Sequence, residues 1–96
     1  MEGSAKQKVP GGKLVYVRLS VLPDRRIAKA VILGDFFIYP ENAIADIERS
    51  IAGISLDEGE GVFVKAIAKS VTDDDAELIG VTPEAIAKVI KSVVVT

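Results

Sequence analysis

The sequence predicts an α+β domain, in which a small antiparallel three-stranded sheet is followed by three helices packed on one of its faces. Residues 14–39 carry alternating or β-branched apolar residues, which is the pattern of strands. Residues 40–96 carry apolar residues at the three- and four-residue spacing of helices. A run of strands followed by a run of helices is typical of an α+β domain. The other face of the sheet then needs polar residues or a partner protein.

Length and composition indicate one folded domain. The chain has 96 residues, of which 49% are hydrophobic, so a modest core can form. We predict a disordered leader at residues 1–7, which are mostly polar, and a single domain at residues 8–96. No apolar run is long enough to span a membrane, and the first residues lack the apolar core of a secretory signal. We therefore expect a soluble, cytoplasmic protein with no membrane partner.

Two missing residue types exclude several kinds of chemistry. The chain contains no Cys and no His. This excludes disulfides, thiolate catalysis, ordinary zinc sites and a serine nucleophile activated by histidine. No cofactor motif is visible either. The sequence therefore argues against an enzyme that acts on its own.

The charge is unevenly distributed along the chain. The first 29 residues carry seven Lys/Arg and two Asp/Glu, whereas the remaining 67 carry five Lys/Arg and twelve Asp/Glu. The basic end would suit phosphates or an acidic partner, and a solvated polar surface explains it equally well. Nucleic-acid binding is not expected, because the net charge is −2 and basic residues do not interleave with aromatic ones.

A glycine-rich segment with a lysine at each end occupies residues 8–13. Gly11 and Gly12 permit backbone angles that let N–H groups approach an anion, and Lys8 and Lys13 add positive charge. The spacing does not match that of a P-loop. The alternative is a flexible leader that enters the first strand.

Residues 14–21 form the first predicted strand, because apolar and more polar positions alternate along them. Its apolar face comprises Val15, Val17, Leu19 and Val21. After the turn at Pro23-Asp24, residues 26–33 form the second strand of a hairpin. The core face of this strand stays open between two sets of residues. One set is Ile27, Val31 and Leu33, and the other is Ala28, Ala30 and Ile32.

Three of the five aromatic residues follow the break at Gly34-Asp35, in a short third strand at residues 36–39. Adjacent residues on a strand point to opposite faces, so Phe36 and Phe37 cannot both fill one core. One of them anchors the core, and the other is covered by a helix of this chain or by a partner protein. Tyr16 lies on the more polar face of the first strand and could share that cover.

Three helices are predicted in the second half of the chain. The first opens at Pro40-Glu41 and ends at Gly53, and the second is indicated by an apolar stripe within residues 62–70. Residues 73–75 are three aspartates, which invite a metal-site hypothesis, but a solvated turn explains them and we predict no metal site. Thr82-Pro83 caps the last helix.

Several of these residues together resemble the C-terminal accessory domain of lipoate–protein ligases. The resemblance covers about residues 8–94. It is carried by the pattern Lys8-x-Pro10-x-Gly12-Lys13, by Gly34-Asp35-Phe36-Phe37 after the hairpin, by Pro40-Glu41, and by Gly80-Val81-Thr82-Pro83-Glu84. In most bacteria this domain is fused behind a catalytic domain, whereas we expect it to stand alone here. The chain therefore resembles the small subunit of the two-subunit archaeal ligases.

The resemblance implies a function. Such a subunit would be required, with a large catalytic subunit, for the activation of lipoate to lipoyl-adenylate by ATP and Mg²⁺. The lipoyl group then passes to a lysine of an acceptor domain. The resemblance implies a heterodimer with the large subunit, contact with acceptor domains through the complex, and no cofactor bound by this chain alone. It also implies a fold similar to that of sulfur-cluster scaffold proteins, whose chemistry a chain without cysteine cannot perform.

The expected site residues follow from this role. Lys13, and second to it Lys8, would supply charge for adenylation, with Gly11, Gly12 and Asp35 binding substrate or nucleotide. Asp35 has an alternative role as a turn-capping residue. The expected partner interface comprises Phe36, Phe37, Tyr39 and Tyr16. A second interpretation of the whole chain remains open, namely a non-catalytic adaptor that only clamps or stabilises a partner protein.

Overall fold

Two antiparallel sheets and three helices make up the fold. The structure, a computed structural model, describes all 96 residues. In chain order the elements are β1 (Glu2–Lys8), β2 (Leu14–Val21), β3 (Ile27–Gly34), β4 (Phe37–Tyr39), α1 (Ala43–Ile51), α2 (Glu60–Asp73), β5 (Glu77–Ile79) and α3 (Pro83–Lys91). The larger sheet has the strand order β1-β2-β3, and β4 pairs with β5 in a separate two-stranded sheet. The predicted α+β class is confirmed.

The central strand of the larger sheet has the alternation predicted for it. Every second residue of β2 is buried, and the residues between them are half-buried or exposed. In β3, a bulge decides which residues face the core: Ser20 pairs with Lys29 and Val21 with Ile27, so Ala28 has no partner. A bulge inserts one residue and reverses the alternation beyond it. The buried residues on either side of it are Ile27, Ala30 and Ile32, a combination that neither of the two proposed sets contains.

The prediction of a disordered leader at residues 1–7 is wrong, because β1 occupies this segment. It pairs with β2 at seven consecutive positions, from Glu2 with Ser20 to Lys8 with Leu14. The end of the chain holds it as well, since Glu2 and Thr96 exchange backbone hydrogen bonds of 3.2 and 3.0 Å. The inward residues of β1 are small or polar, so the segment carries little hydrophobic signal. Pairing with β2, rather than apolar side chains, makes it a strand.

The third predicted strand forms, but it does not join the larger sheet. Phe37 pairs with Ile79 and Tyr39 with Glu77, so β4 is held by β5. β5 was not predicted from the sequence, because it has only three residues and lies between a helix and a helix cap. The larger sheet still has three strands, because β1 takes the place that was predicted for residues 36–39.

Most of the capping residues predicted from the sequence lie at the ends of helices in the structure. The first helix starts later than predicted, because residues 40–42 form a turn in which the Ala43 N–H donates to the Pro40 carbonyl at 3.0 Å. It ends just before Gly53, whose φ is +87°, as predicted. At the last helix, Thr82 Oγ1 accepts a hydrogen bond of 3.1 Å from the Ala85 N–H, which confirms the predicted cap.

The core lies between the three-stranded sheet and the helices. Phe63 of α2 is its largest fully buried side chain, and it belongs to one cluster with the inward residues of β2, β3, α1 and α3. All buried side chains are apolar. The opposite face of the sheet carries no helix, so its side chains meet solvent. None of the three helices has the length and apolar character needed to cross a membrane.

Candidate functional site

The glycine-rich segment is a hairpin turn between β1 and β2. The Gly12 N–H donates to the Val9 carbonyl at 2.9 Å, and the Val9 N–H donates to the Lys13 carbonyl at 2.8 Å. Gly11 and Gly12 have φ of +98° and +81°, which only glycine adopts readily. The alternative of a flexible leader is therefore wrong. The N–H of Gly12 is used within the turn and offers no donor to an anion.

Lys13 leaves this turn on the helix side of the sheet. Its aliphatic stem lies over Gly80: a Cβ built on Gly80 would stand 3.2 Å from Lys13 Cγ. Gly80 has a φ of +89°, so it combines a glycine-only conformation with close contact. Gly80, the first residue of the motif Gly80–Glu84, therefore leaves room for the Lys13 stem to cross the segment before α3.

A cleft of about 310 Å³ lies around Lys13. Its walls are Pro10, Gly11, Lys13, Gly80, Val81, Thr82 and Ala85. It therefore joins the β1–β2 turn to the start of α3, where the helix dipole is positive. Lys13 takes part in none of the ion pairs of the structure, so its charge is available to an anion in the cleft. The cleft brings two sources of positive charge together without a catalytic acid or base.

The structure does not bring Lys8 to this cleft. Lys8 is opposite Leu14 in the sheet, and Val9 and Val15 beside them are buried on the helix side. Because side chains alternate along a strand, Lys8 projects from the uncovered face, opposite to Lys13. Lys8 and Lys13, which were predicted to act together, therefore lie on different surfaces.

Asp35 holds the end of the hairpin. Its carboxylate Oδ1 accepts a hydrogen bond of 2.6 Å from the Leu14 N–H, and its own N–H donates to the Leu14 carbonyl at 3.2 Å. It forms no ion pair with a lysine. Of the two roles considered, the structure shows the turn-capping one, and Asp35 positions β2 directly after Lys13.

The aromatic residues divide between core and surface as their alternation predicts. Phe36 is half-buried and packs against the core, whereas Phe37 and Tyr39 are 64% and 67% exposed. No helix of this chain covers the second phenylalanine. Together with the exposed Leu33, Phe37 and Tyr39 line a groove of about 370 Å³ between the end of β3 and β4. We call this groove the aromatic groove.

Two neighbours of the aromatic groove were missed from the sequence. Ile79 is exposed and lies directly opposite Phe37, so it extends the apolar surface toward Gly80 and the Lys13 cleft. It was missed because β5 was not recognised. Leu33 was assigned to a possible core face, and the bulge at Ala28 places it on the surface instead. Tyr16 is half-buried opposite Leu33 and stands at the edge of the same surface.

No protein-family model matches the sequence, and no curated protein matches it. A solved structure from Thermoplasma acidophilum does match, with a TM-score of 0.73, 27% sequence identity and 94% of each chain covered. The chain resembles a component of an archaeal lipoylation system. That system comprises a bi-partite lipoate protein ligase and its E2 lipoyl domain. The resemblance predicted from the sequence is confirmed by this match.

A larger cleft than these two, of about 520 Å³, lies elsewhere, between α1 and α2. It is lined mainly by polar side chains, namely Asp46, Arg49, Ser50, Lys69, Ser70, Asp73 and Asp74, with Ala66. Within the triple-aspartate segment, Asp73 pairs with Lys69 at 2.7 Å. No group of three or more acidic side chains is placed to hold a metal ion. This cleft shares no lining residue with the Lys13 cleft or the aromatic groove.

Two carboxyls in this cleft, those of Asp46 and Asp74, shift each other's pKa. A hydrogen bond with Asp46 raises the pKa of Asp74, and partial burial and the Asp46 charge add to the rise. The same hydrogen bond lowers the pKa of Asp46, with Arg49 contributing further. A raised carboxyl pKa stabilises the fold while the group is protonated, and this contribution is lost as the pH rises through the folded-state value. When both groups are deprotonated, Asp46 and Asp74 are two like charges beside each other.

Asp74→Asn should stabilise the protein at pH 7, because the amide keeps a hydrogen-bond donor beside Asp46 and removes the repulsion. The gain should shrink as the pH falls through the raised pKa of Asp74 toward the ordinary value of 3.8. Thermal unfolding of wild type and variant across this pH range measures it. Asp75→Asn, which removes one charge from the same turn, is the matched control. Identical pH profiles for the two variants would contradict a contribution from the pair.

Proposed function

We propose that this chain is the small accessory subunit of a two-subunit lipoate–protein ligase. With a large catalytic subunit it supports the ATP- and Mg²⁺-dependent activation of lipoate to lipoyl-adenylate, before transfer to an acceptor lysine. The observation that carries this proposal is the structural match, which covers 94% of both chains. The protein matched comes from a system in which the ligase is bi-partite. A small chain with no catalytic apparatus of its own is consistent with being one subunit of such an enzyme.

That system contains a lipoyl domain as well as a ligase, and we assign this chain to the ligase. The residues that carry the sequence resemblance are those of the ligase accessory domain. In the structure, three of its segments meet, since Lys13 lies over Gly80 and Asp35 holds the strand that follows Lys13. A direct test is mass spectrometry after incubation with lipoate, ATP and an active ligase. A ligase subunit gains no lipoyl group, whereas a lipoyl domain does.

Adenylation joins two anions, a carboxylate and a triphosphate, and displaces pyrophosphate. Positive charge in a site that excludes water stabilises this step. Lys13 is the residue of this chain placed to contribute, because its stem is held against Gly80 and its charge is unpaired. Lys8 lies on the other face, so we assign the phosphate contact to Lys13 alone. Nucleotide, Mg²⁺ and lipoate are then held in the complex, mostly by the large subunit.

The aromatic groove is the surface we propose for the large subunit. Phe37→Ala should weaken the complex at least about tenfold, because a buried aromatic anchor contributes roughly 2 kcal/mol or more. Titration of labelled chain with the large subunit measures the affinity. Leu22→Ala, which shortens an exposed apolar side chain at the opposite end of the β2–β3 hairpin, is the control and should bind normally. A folded Phe37→Ala variant that binds like wild type would place the interface elsewhere.

The function itself is tested by assaying adenylate formation with each subunit alone and with the mixture. The small chain alone should form no lipoyl-adenylate and hydrolyse no ATP. The mixture should form adenylate faster than the large subunit alone. Adenylate formation by the small chain alone, or no acceleration in the mixture, would contradict the proposal. The adaptor interpretation instead predicts that only complex stability depends on this chain.

A further inference from the structure

The uncovered face of the larger sheet is basic. Its outward side chains are Glu2, Ser4, Lys6 and Lys8 from β1, Leu14, Tyr16, Arg18 and Ser20 from β2, and Lys29, Val31 and Leu33 from β3. Four of these are cations and one is a carboxylate, in a chain whose net charge is −2. These side chains therefore carry a net charge of +3, and the rest of the molecule carries −5. We call this surface the sheet face.

Most of the cations on the sheet face have no partner within the chain. Only Arg18 forms an ion pair there, with Glu2 at 3.1 Å. The three lysines take part in no ion pair of the structure, and all three are exposed. Their backbone positions are fixed by the register of the sheet: Lys6 flanks Tyr16, and Lys29 flanks Ser20 at the other end. The face thus presents charges at fixed positions beside an apolar strip.

That strip consists of Tyr16, Val31 and Leu33. Tyr16 and Leu33 are directly opposite each other on neighbouring strands, and Val31 follows on the same face. Apolar side chains bordered by charged ones are common in protein–protein interfaces. A single aromatic side chain offers no row of stacking platforms of the kind that binds single-stranded nucleic acid. The acidic remainder of the molecule also opposes binding to extended polyanions such as nucleic acid and anionic membranes.

We propose that the sheet face docks an acidic surface of the lipoyl acceptor domain during transfer. This inference rests on the proposed function, which requires an acceptor to approach the assembled ligase. In that assembly the large subunit covers the aromatic groove, and the Lys13 cleft faces the nucleotide. The sheet face meets the aromatic groove at Leu33, which the large subunit covers, and the rest of the face, with its lysines, remains uncovered. Charge complementarity, with lysines on this face, selects an acidic partner and speeds its association.

The test uses matched double variants of the reconstituted complex. Lys6→Glu with Lys29→Glu reverses two unpaired charges on the sheet face. Lys65→Glu with Lys88→Glu reverses two exposed, unpaired lysines on α2 and α3, so both variants change the net charge equally. Transfer from pre-formed lipoyl-adenylate is followed while the concentration of an unmodified E2 lipoyl domain is varied. Circular dichroism and thermal unfolding verify that both variants fold.

The sheet-face variant should raise KM for the acceptor about tenfold or more, since charge steering changes association rates by roughly 10- to 1,000-fold. Its kcat and its rate of adenylation should stay near the wild-type values. Replacing the same two lysines by glutamine should give an intermediate KM, and added salt should reduce the difference. The helix variant should keep the wild-type KM. An unchanged KM, or equal increases in both variants, would overturn the proposal.

A second measurement separates this inference from the proposed function. The isotope-labelled chain is titrated with the isolated lipoyl domain, and amide chemical shifts are followed by NMR. Shifts confined to β1–β3 residues of the sheet face support docking even if adenylation fails in the mixture. Absence of such shifts at saturating lipoyl domain overturns docking even if adenylation succeeds. Binding of a single-stranded oligonucleotide or of anionic phosphatidylserine vesicles through Lys6 and Lys29, with no shift from the lipoyl domain, would also overturn it.

Discussion

Removal of residues 1–7 should lower the free energy of unfolding by at least about 3 kcal/mol. These residues form β1, which pairs with β2 at seven positions, and backbone hydrogen bonds contribute about 0.5–1.5 kcal/mol each. The loss is a large part of the roughly 5–14 kcal/mol expected for a domain of this size. Tm should fall by at least about 12 °C, at about 4 °C or more per kcal/mol. Differential scanning calorimetry measures the change.

Two substitutions show whether the loss comes from the strand. Ser4→Ala changes an exposed side chain of β1 and should alter stability by no more than about 0.5 kcal/mol. Gly3→Ala introduces a Cβ that would stand 2.3 Å from the Val94 carbonyl oxygen, so it should displace the end of the chain and destabilise more than Ser4→Ala. A truncated protein with the wild-type Tm would show that β1 is not part of the stable fold.

Lys13→Ala should slow adenylation in the reconstituted complex by roughly one to two powers of ten. A charge-assisted contact to phosphate contributes about 1.5–3 kcal/mol, and each 1.36 kcal/mol changes a rate about tenfold. Complex formation should change little, because the Lys13 cleft is separate from Phe37 and Tyr39. Transfer from pre-formed lipoyl-adenylate should also survive, because the triphosphate is gone by then. Single-turnover measurements of the two steps, made separately, test this.

The neighbouring lysine provides the control for Lys13. Lys8→Ala removes the same charge from the opposite face of the sheet, so adenylation should keep its wild-type rate. Equal losses in adenylation and transfer for Lys13→Ala would indicate damaged assembly instead of a lost phosphate contact. No loss in either step would favour the adaptor interpretation, in which this chain only stabilises its partner.

The sequence by itself determined the features that depend on neighbouring residues. Alternation along residues 14–21 predicted the buried face of β2, because the side-chain period of a strand is local. Thr82-Pro83 predicted the start of α3, and Gly53 the end of α1, because capping is decided by a few adjacent groups. Adjacency alone also predicted that Phe36 and Phe37 would separate, and the structure places one in the core and the other on the surface.

Only the tertiary structure decided the features that depend on distant residues. β1 is a strand because β2 pairs with it, although its own side chains carry little apolar signal. The bulge at Ala28 placed Leu33 on the surface, and no local pattern shows a bulge of this kind. The packing of Lys13 over Gly80 joins residues 67 positions apart, and the register of β1 with β2 places Lys8 on the opposite face. Pairing partners, bulges and close approaches are set by long-range contacts, which a single local pattern does not encode.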